Sequence, residues 1–126
     1  MNSKVVLDAQ NFNNLEEFYH EIYGLMKLYD DWKPAYNLDT LNDMLYSGFG
    51  EHETELIWEN SEKSKSDLGK TATIQFYQNK INQGKPFNVN WAKEKLNALN
   101  ENRGQTLFEI LVEIFETHPK IKLNLN

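Results

Sequence analysis

Two carboxylates stand four residues apart, at Asp39 and Asp43, in the segment YNLDTLNDML. Leucines recur at helical spacing through the same segment, at Leu38, Leu41 and Leu45. The pattern predicts a short amphipathic helix with both aspartates one turn apart, where like charges cost roughly a few tenths of a kcal/mol. Asn37 suits the N-cap, and the helix dipole favours Asp39 in the first turn, but neither reason extends to Asp43. Asp43 is therefore a candidate for function.

The polar face of this predicted helix carries more than the two acids. On a helical wheel, Asn42 and Tyr46 fall beside Asp39 and Asp43, away from the leucines. One face is therefore expected to pack against a core, while the other presents two carboxylates, an amide and a phenol.

Charge is unevenly distributed along the chain, whose net charge is −6. Residues 1–62 carry thirteen acidic and three Lys or Arg side chains, whereas residues 63–126 carry six acidic and ten basic ones. The acidic first half disfavours nucleic acid as its main ligand, because phosphates would be repelled. It favours a cationic protein, whose encounter with the chain such a field would accelerate. The alternative is an acidic surface that only keeps the protein soluble.

Length and composition narrow the class of protein. The 126 residues favour a single domain, 1–126, that encloses its own core. The chain has no cysteine, which excludes disulfides, thiolate metal sites and cysteine nucleophiles. Its first residues contain no apolar segment typical of a signal peptide, and no run approaches membrane-spanning length. We therefore expect a cytoplasmic protein that does not bind membranes.

Three short apolar runs predict β-strands at Lys4–Asp8, Glu55–Trp58 and Ile121–Leu125. The first two have the character of buried strands, and the alternation of the third predicts the edge of a sheet. Helical periodicity occupies the segments between them, including a short helix that Ser61 would cap and that ends at Gly69. Because helix-length segments separate the strands, the predicted fold class is α/β, with a three-stranded parallel sheet packed with helices.

The segment YNLDTLNDML resembles the acidic helix of the barstar family of intracellular ribonuclease inhibitors, in which Asn-Leu-Asp is followed four residues later by another aspartate. A second match follows Trp58, where Glu62, Ser64 and Lys65 reproduce the family's Trp-x3-Glu-x-Ser-Lys spacing. The order of strands and helices also agrees. The resemblance covers Lys4–Leu68 and implies a barstar-like fold, extended by a helical insertion within about 71–104.

The resemblance implies an inhibitor, or immunity protein, and not an enzyme. In this family the acidic helix and the loop before it block the active site of a ribonuclease. The aspartate that mimics the scissile phosphate and meets the catalytic Arg and His side chains maps onto Asp43. The aspartate that pairs with an active-site arginine maps onto Asp39. The implied partner is a cationic ribonuclease or toxin nuclease domain, bound by a protein that is a monomer when free and uses no cofactor or metal.

This chain departs from the family in the aromatic part of the site. Asn42 stands where the family has an aromatic residue between its aspartates, and Lys33 stands where a tyrosine precedes the helix. Trp32 or Tyr36 could supply that ring instead. Phe49 lies in the region of a tryptophan that follows the family's helix. These departures leave the identity of the target nuclease open.

A family glutamate on the last long helix corresponds to Glu113 or Glu116, and the resemblance does not choose between them. The expected partner-binding residues are Asp39, Asp43, Asn42, Trp32, Lys33, Tyr36, Tyr46, Phe49 and Glu113.

Two other functions are consistent with the sequence. A barstar-like protein could bind a partner that is not a nuclease. Alternatively, a small metal-dependent hydrolase would draw its ligands from Asp39, Asp43, His52 and Glu53. Their spacing matches no zinc signature, and adjacent side chains in a turn rarely converge. His118 is expected near the end of a helix, where a cation is favoured.

Overall fold

The fold is an α/β arrangement around a parallel sheet, seen in a computed structural model that describes residues 3–26, 34–46, 49 and 53–126. The described residues form three β-strands, β1 (Ser3–Asp8), β2 (Thr54–Glu59) and β3 (Ile121–Leu125), and six α-helices. All strand pairs are parallel, in the order β1–β2–β3, so β2 is central. The predicted α/β class with a three-stranded parallel sheet is therefore confirmed.

Burial differs between the central strand and its neighbours. In β2, Thr54, Leu56 and Trp58 are all buried, as expected for a strand that pairs on both sides. In β1 only Leu7 is buried, and Val6 is 41% exposed. The prediction of a buried first strand is wrong, because β1 pairs with β2 alone among the described residues. The predicted edge position of the third strand is confirmed.

Six helices connect and cover the strands. They are α1 (Leu15–Leu25), α2 (Leu38–Met44), α3 (Ser61–Asp67), α4 (Lys70–Gln83), α5 (Val89–Asn100) and α6 (Leu107–Glu116). Four of them begin at a residue whose side chain accepts a hydrogen bond from the backbone N–H three residues later, namely Asn14, Asn37, Asn88 and Thr106. None of the described helices combines the length and the apolar character needed to cross a bilayer.

The start of α3 differs from its prediction. Asn60 precedes the helix in a left-handed conformation (φ 57°), with no side-chain cap. Ser61 does not cap the helix, because its hydroxyl donates a 2.9 Å hydrogen bond to the carbonyl of Asn126 at the end of β3. Ser64 Oγ accepts a 3.0 Å bond from Trp58 Nε1. Both serines therefore tie α3 to the sheet.

The larger hydrophobic core, which we call the main core, surrounds Trp58. This side chain is fully buried, and the ring centroids of Phe18 and Phe108 lie 5.7 and 5.0 Å from its own. Helix α6 contributes four buried residues to this core, namely Leu107, Phe108, Leu111 and Phe115. Helix α2 contributes Leu41, with Leu45 directly after its end. The main core thus joins the sheet to the acidic helix.

Helices α4 and α5 pack against each other around a second, smaller core. Its buried residues are Tyr77, Ala92 and Leu99. Thr73 Oγ1 connects α4 to the beginning of α6, since it accepts a buried 2.7 Å hydrogen bond from the backbone N–H of Leu107. We call α4 and α5 the helix pair. It occupies the segment in which helical structure beyond the barstar-like pattern was expected.

Candidate functional site

The acidic helix α2 is held firmly at its start and along one face. Asn37 Oδ1 accepts a 2.7 Å hydrogen bond from the backbone N–H of Thr40, which confirms the predicted cap. Leu41 and Leu45 are buried in the main core, as the leucine spacing predicts. Each side chain on the other face is therefore presented from a fixed backbone.

The two aspartates are exposed on this helix. Neither the Asp39 nor the Asp43 carboxylate has a hydrogen-bond or salt-bridge partner among the described residues. Asp43 lies in the second half of the helix, where the negative end of the dipole disfavours an anion. Structural stability therefore gives no reason for an acid at this position.

Asp39 acts on two side chains of neighbouring helices. Burial raises the pKa of the Tyr19 phenol far above its usual range, and the charges of Tyr23 and Asp39 add to this rise. Burial lowers the pKa of Lys80, an effect that the Asp39 carboxylate opposes. The Lys80 Nζ lies 4.2 Å from the ring centroid of Phe87, in the connection between α4 and α5. Asp39 thus stands within electrostatic reach of a cation that an aromatic ring holds in place.

Asn42 is turned into the protein and not wholly outward, unlike the expectation from the helical wheel. Its Oδ1 accepts a 2.8 Å hydrogen bond from Nε2 of His118, which is 3% exposed. The ring of Tyr46 packs edge-on against His118, with 4.5 Å between centroids. His118 lies just after the end of α6, as predicted, but burial lowers its pKa and so favours the neutral imidazole there. His118 therefore links α2 to the turn before β3.

Aromatic residues support the chain that leads into α2. Tyr23 donates a 2.9 Å hydrogen bond to the carbonyl of Ala35, and burial raises the pKa of Tyr23 to about 12. Tyr36 packs on Tyr19 and Tyr23, with centroid distances of 5.5 and 5.8 Å, and is 40% exposed. Tyr36 therefore places an aromatic ring beside the acidic helix. It is one of the two residues that were predicted to supply the ring of the tyrosine found in the barstar family.

A cleft of about 740 Å³ opens beside α2. Its charged lining residues are Asp39 from α2, Glu113 from α6, Lys95 from α5 and Arg103 from the loop that follows α5. Asn42, Tyr77, Trp91 and Gln105 are among the other lining residues. The cleft is therefore bipolar, with acids and cations supplied by different elements, and its size is typical of a binding site.

The structure brings only part of the predicted site into this cleft. Asp39, Asn42 and Glu113 line it together, and Glu113 Oε2 accepts a 2.6 Å hydrogen bond from Gln105. Glu116 lines a different cavity, so Glu113 is the glutamate of α6 that shares the cleft with Asp39.

The other predicted residues lie around the cleft or elsewhere. Asp43 and Tyr46 are exposed on and just after α2, and Tyr46 is 72% exposed. Phe49 is half-buried and packs against the main core, so part of its ring remains accessible. Trp32 and Lys33 lie outside the described residues.

The sequence did not indicate that the helix pair lines one side of the cleft. Trp91 is 42% exposed, packs edge-on against Tyr77, and has Lys95 Nζ 5.9 Å from its ring centroid. Arg103 forms an ion pair with Glu101. The spacing of Trp91 and Lys95, one turn apart, places them on one helix face, but nothing in the chain indicates that this face lines a cleft with α2.

A metal site receives no support from this geometry. Within the described ranges, no three His, Asp or Glu side chains are close enough to hold an ion. His52 lies outside those ranges, and Glu53 is exposed next to β2.

Comparisons of the chain with family models, with curated proteins and with solved structures find no match. No related protein therefore helps to assign a function to this site.

Proposed function

We propose that this protein is a barstar-like inhibitor, or immunity protein, that blocks the active site of a small cationic ribonuclease with the acidic helix α2. The main support for the proposal is the environment of the Asp39 and Asp43 carboxylates. Two exposed carboxylates that form no hydrogen bond or salt bridge among the described residues project from a helix whose opposite face is buried in the main core. Such an arrangement costs stability in the free protein, and a cationic binding partner offsets that cost.

The mechanism follows from the chemistry of the ribonuclease site. A phosphate in that site is held by convergent cationic donors, and a carboxylate on a rigid helix can take its place. In this proposal Asp43 occupies the phosphate position. Asp39, with Glu113 across the cleft, receives an arginine. The Asn42–His118 bond and the Asn37 cap hold the helix, so that both carboxylates are positioned to contact the ribonuclease at the same time.

Inhibition of purified enzymes tests the proposal. A panel of small basic microbial ribonucleases, including barnase, would be titrated with the protein, and the association rate would be measured at low and high salt. We expect inhibition of at least one enzyme, with an association rate that falls steeply as salt screens the acidic half of the chain. If the protein inhibits none of the panel at micromolar concentration, or if the rate is independent of salt, the proposal fails.

A further inference from the structure

The helix pair forms the part of the cleft that the proposed mechanism does not use. Trp91, Lys95 and Asp39 line the same cleft, although they come from different helices. Trp91 is 42% exposed, although it is a large aromatic residue. Lys95 forms no salt bridge within the described part of the chain. Tryptophan is one of the residue types most enriched at interaction hot spots, and the Lys95 ammonium beside it adds a positive charge to this region.

We propose that Trp91 and Lys95 form a second docking region, which binds an acidic segment of the ribonuclease next to its cationic active site. The inference rests on the proposed function. A ribonuclease that contacts Asp39 must place its neighbouring surface over the rest of the same cleft. If that surface were also basic, Lys95 would repel it. A carboxylate there pairs with Lys95, and an adjacent apolar side chain packs on the ring of Trp91.

This second region adds selectivity to a site that would otherwise attract any cationic protein. The acidic half of the chain accelerates encounters with every basic surface. Lys95 disfavours partners whose surface is uniformly basic, and it accepts those that combine a basic site with an acidic border. Partners are then distinguished by a repulsive contact as well as by an attractive one.

A pair of charge reversals on one helix tests the inference. Lys95→Glu and Lys93→Glu make the same change in net charge, but Lys93 is exposed on α5 and does not line the cleft. A more negative inhibitor should approach a basic ribonuclease at least as fast, so Lys93→Glu should leave inhibition unchanged or slightly improved. We expect Lys95→Glu to weaken inhibition by about tenfold or more, against the trend in net charge.

The probe is the ribonuclease of the panel that the unaltered protein inhibits most strongly, and circular dichroism verifies that each variant is folded. Trp91→Ala should weaken inhibition in the same direction as Lys95→Glu. Reversal of one surface carboxylate of the ribonuclease to lysine should restore inhibition by Lys95→Glu.

The outcomes separate the two proposals. If Lys95→Glu behaves like Lys93→Glu, the second docking region is wrong, while an Asp43→Ala variant that has lost inhibition still supports the proposed function. If Asp43→Ala inhibits normally and Lys95→Glu does not, the cleft binds the enzyme but the acidic helix is not its inhibitory element. If the protein inhibits no ribonuclease, both proposals fall.

Discussion

The main core and the helix pair are stabilised to very different degrees, and the cleft lies where they meet. The main core contains eighteen buried residues among those described, whereas the second core contains three. Helix α2 is anchored in the first of these, whereas Trp91 and Lys95 lie on α5, which packs around the second. One wall of the cleft is therefore fixed by extensive burial. The other is held by few apolar side chains and by bonds such as that between Thr73 and Leu107.

The difference suggests a division of roles. A carboxylate that replaces a phosphate needs an accurate position, and a rigid base provides it. The Trp91–Lys95 region, which contacts the surface around the partner's active site, tolerates more movement. Such movement is expected in the helix pair, because elements with little buried apolar surface open at lower free energy than the rest of a fold.

Truncation of Trp58 should have the largest effect on stability. Trp58→Ala leaves a cavity at the centre of the main core and removes the bond to Ser64, so we expect a loss of about 3–5 kcal/mol in the free energy of unfolding. Chemical denaturation measures it. The matched control is Trp91→Ala, which truncates the same residue type at a more exposed position and should cost only about 0.5–1.5 kcal/mol, since it removes the edge-on contact with Tyr77. Similar losses in the two variants would remove the contrast between the regions.

A smaller and more local effect is expected in the helix pair. Leu99→Ala removes one of three buried residues of the second core, at a cost of about 2–3 kcal/mol. Hydrogen exchange should show faster amide exchange in α4 and α5, with little change in β2. Leu41→Ala, in the main core, should instead accelerate exchange in the sheet as well. Equal loss of protection everywhere in Leu99→Ala would mean that the two regions unfold as one unit.

The stability of the fold should depend on pH through His118, which links α2 to the turn before β3. The folded pKa of His118 lies below its usual value of 6.5, so the unfolded chain binds a proton more readily. The stability from neutral, buried His118 is present above about pH 6.5 and is lost progressively as the pH falls below it. Melting temperatures between pH 7.5 and 5.5 should therefore decline, and His118→Gln should reduce that slope. His20→Gln, which replaces an exposed histidine on α1, is the matched variant for comparison. If His118→Gln retains the slope of the unaltered protein, the His118 imidazole is not its source.

Much of the fold was predictable because its signals are local. Leucine spacing defined the buried face of α2, and Asn37 gave the cap that the structure contains. The parallel sheet followed from helix-length segments between apolar runs. Burial in β1 was not predictable, because a β-branched run looks the same at an edge as in the centre of a sheet.

The candidate site was predictable only where it depends on one helix. Asp39 and Asp43 were found from their spacing, and both are exposed as expected. The bond between Asn42 and His118 joins residues 76 positions apart, and no periodicity reports such a contact. Trp91 and Lys95 line the same cleft as α2 only because of tertiary packing, so their place in the cleft required the structure.

The central claim is that Asp43 serves a partner and not the fold, and a single variant tests it. Asp43→Ala removes repulsion from Asp39 and places a better helix former in α2, so its stability should be unchanged or raised by about 0.5 kcal/mol. Its inhibition should weaken by on the order of 2–5 kcal/mol, because the cationic groups of the ribonuclease lose their partner after they have been dehydrated. Glu94→Ala removes one negative charge from an exposed position outside the cleft, and it should change neither property appreciably.

The decisive measurement is therefore a thermal melt paired with an inhibition titration on Asp43→Ala. The account predicts opposite signs, with stability retained or improved and inhibition largely lost. A variant that melts at a lower temperature and inhibits as well as the unaltered protein would contradict it.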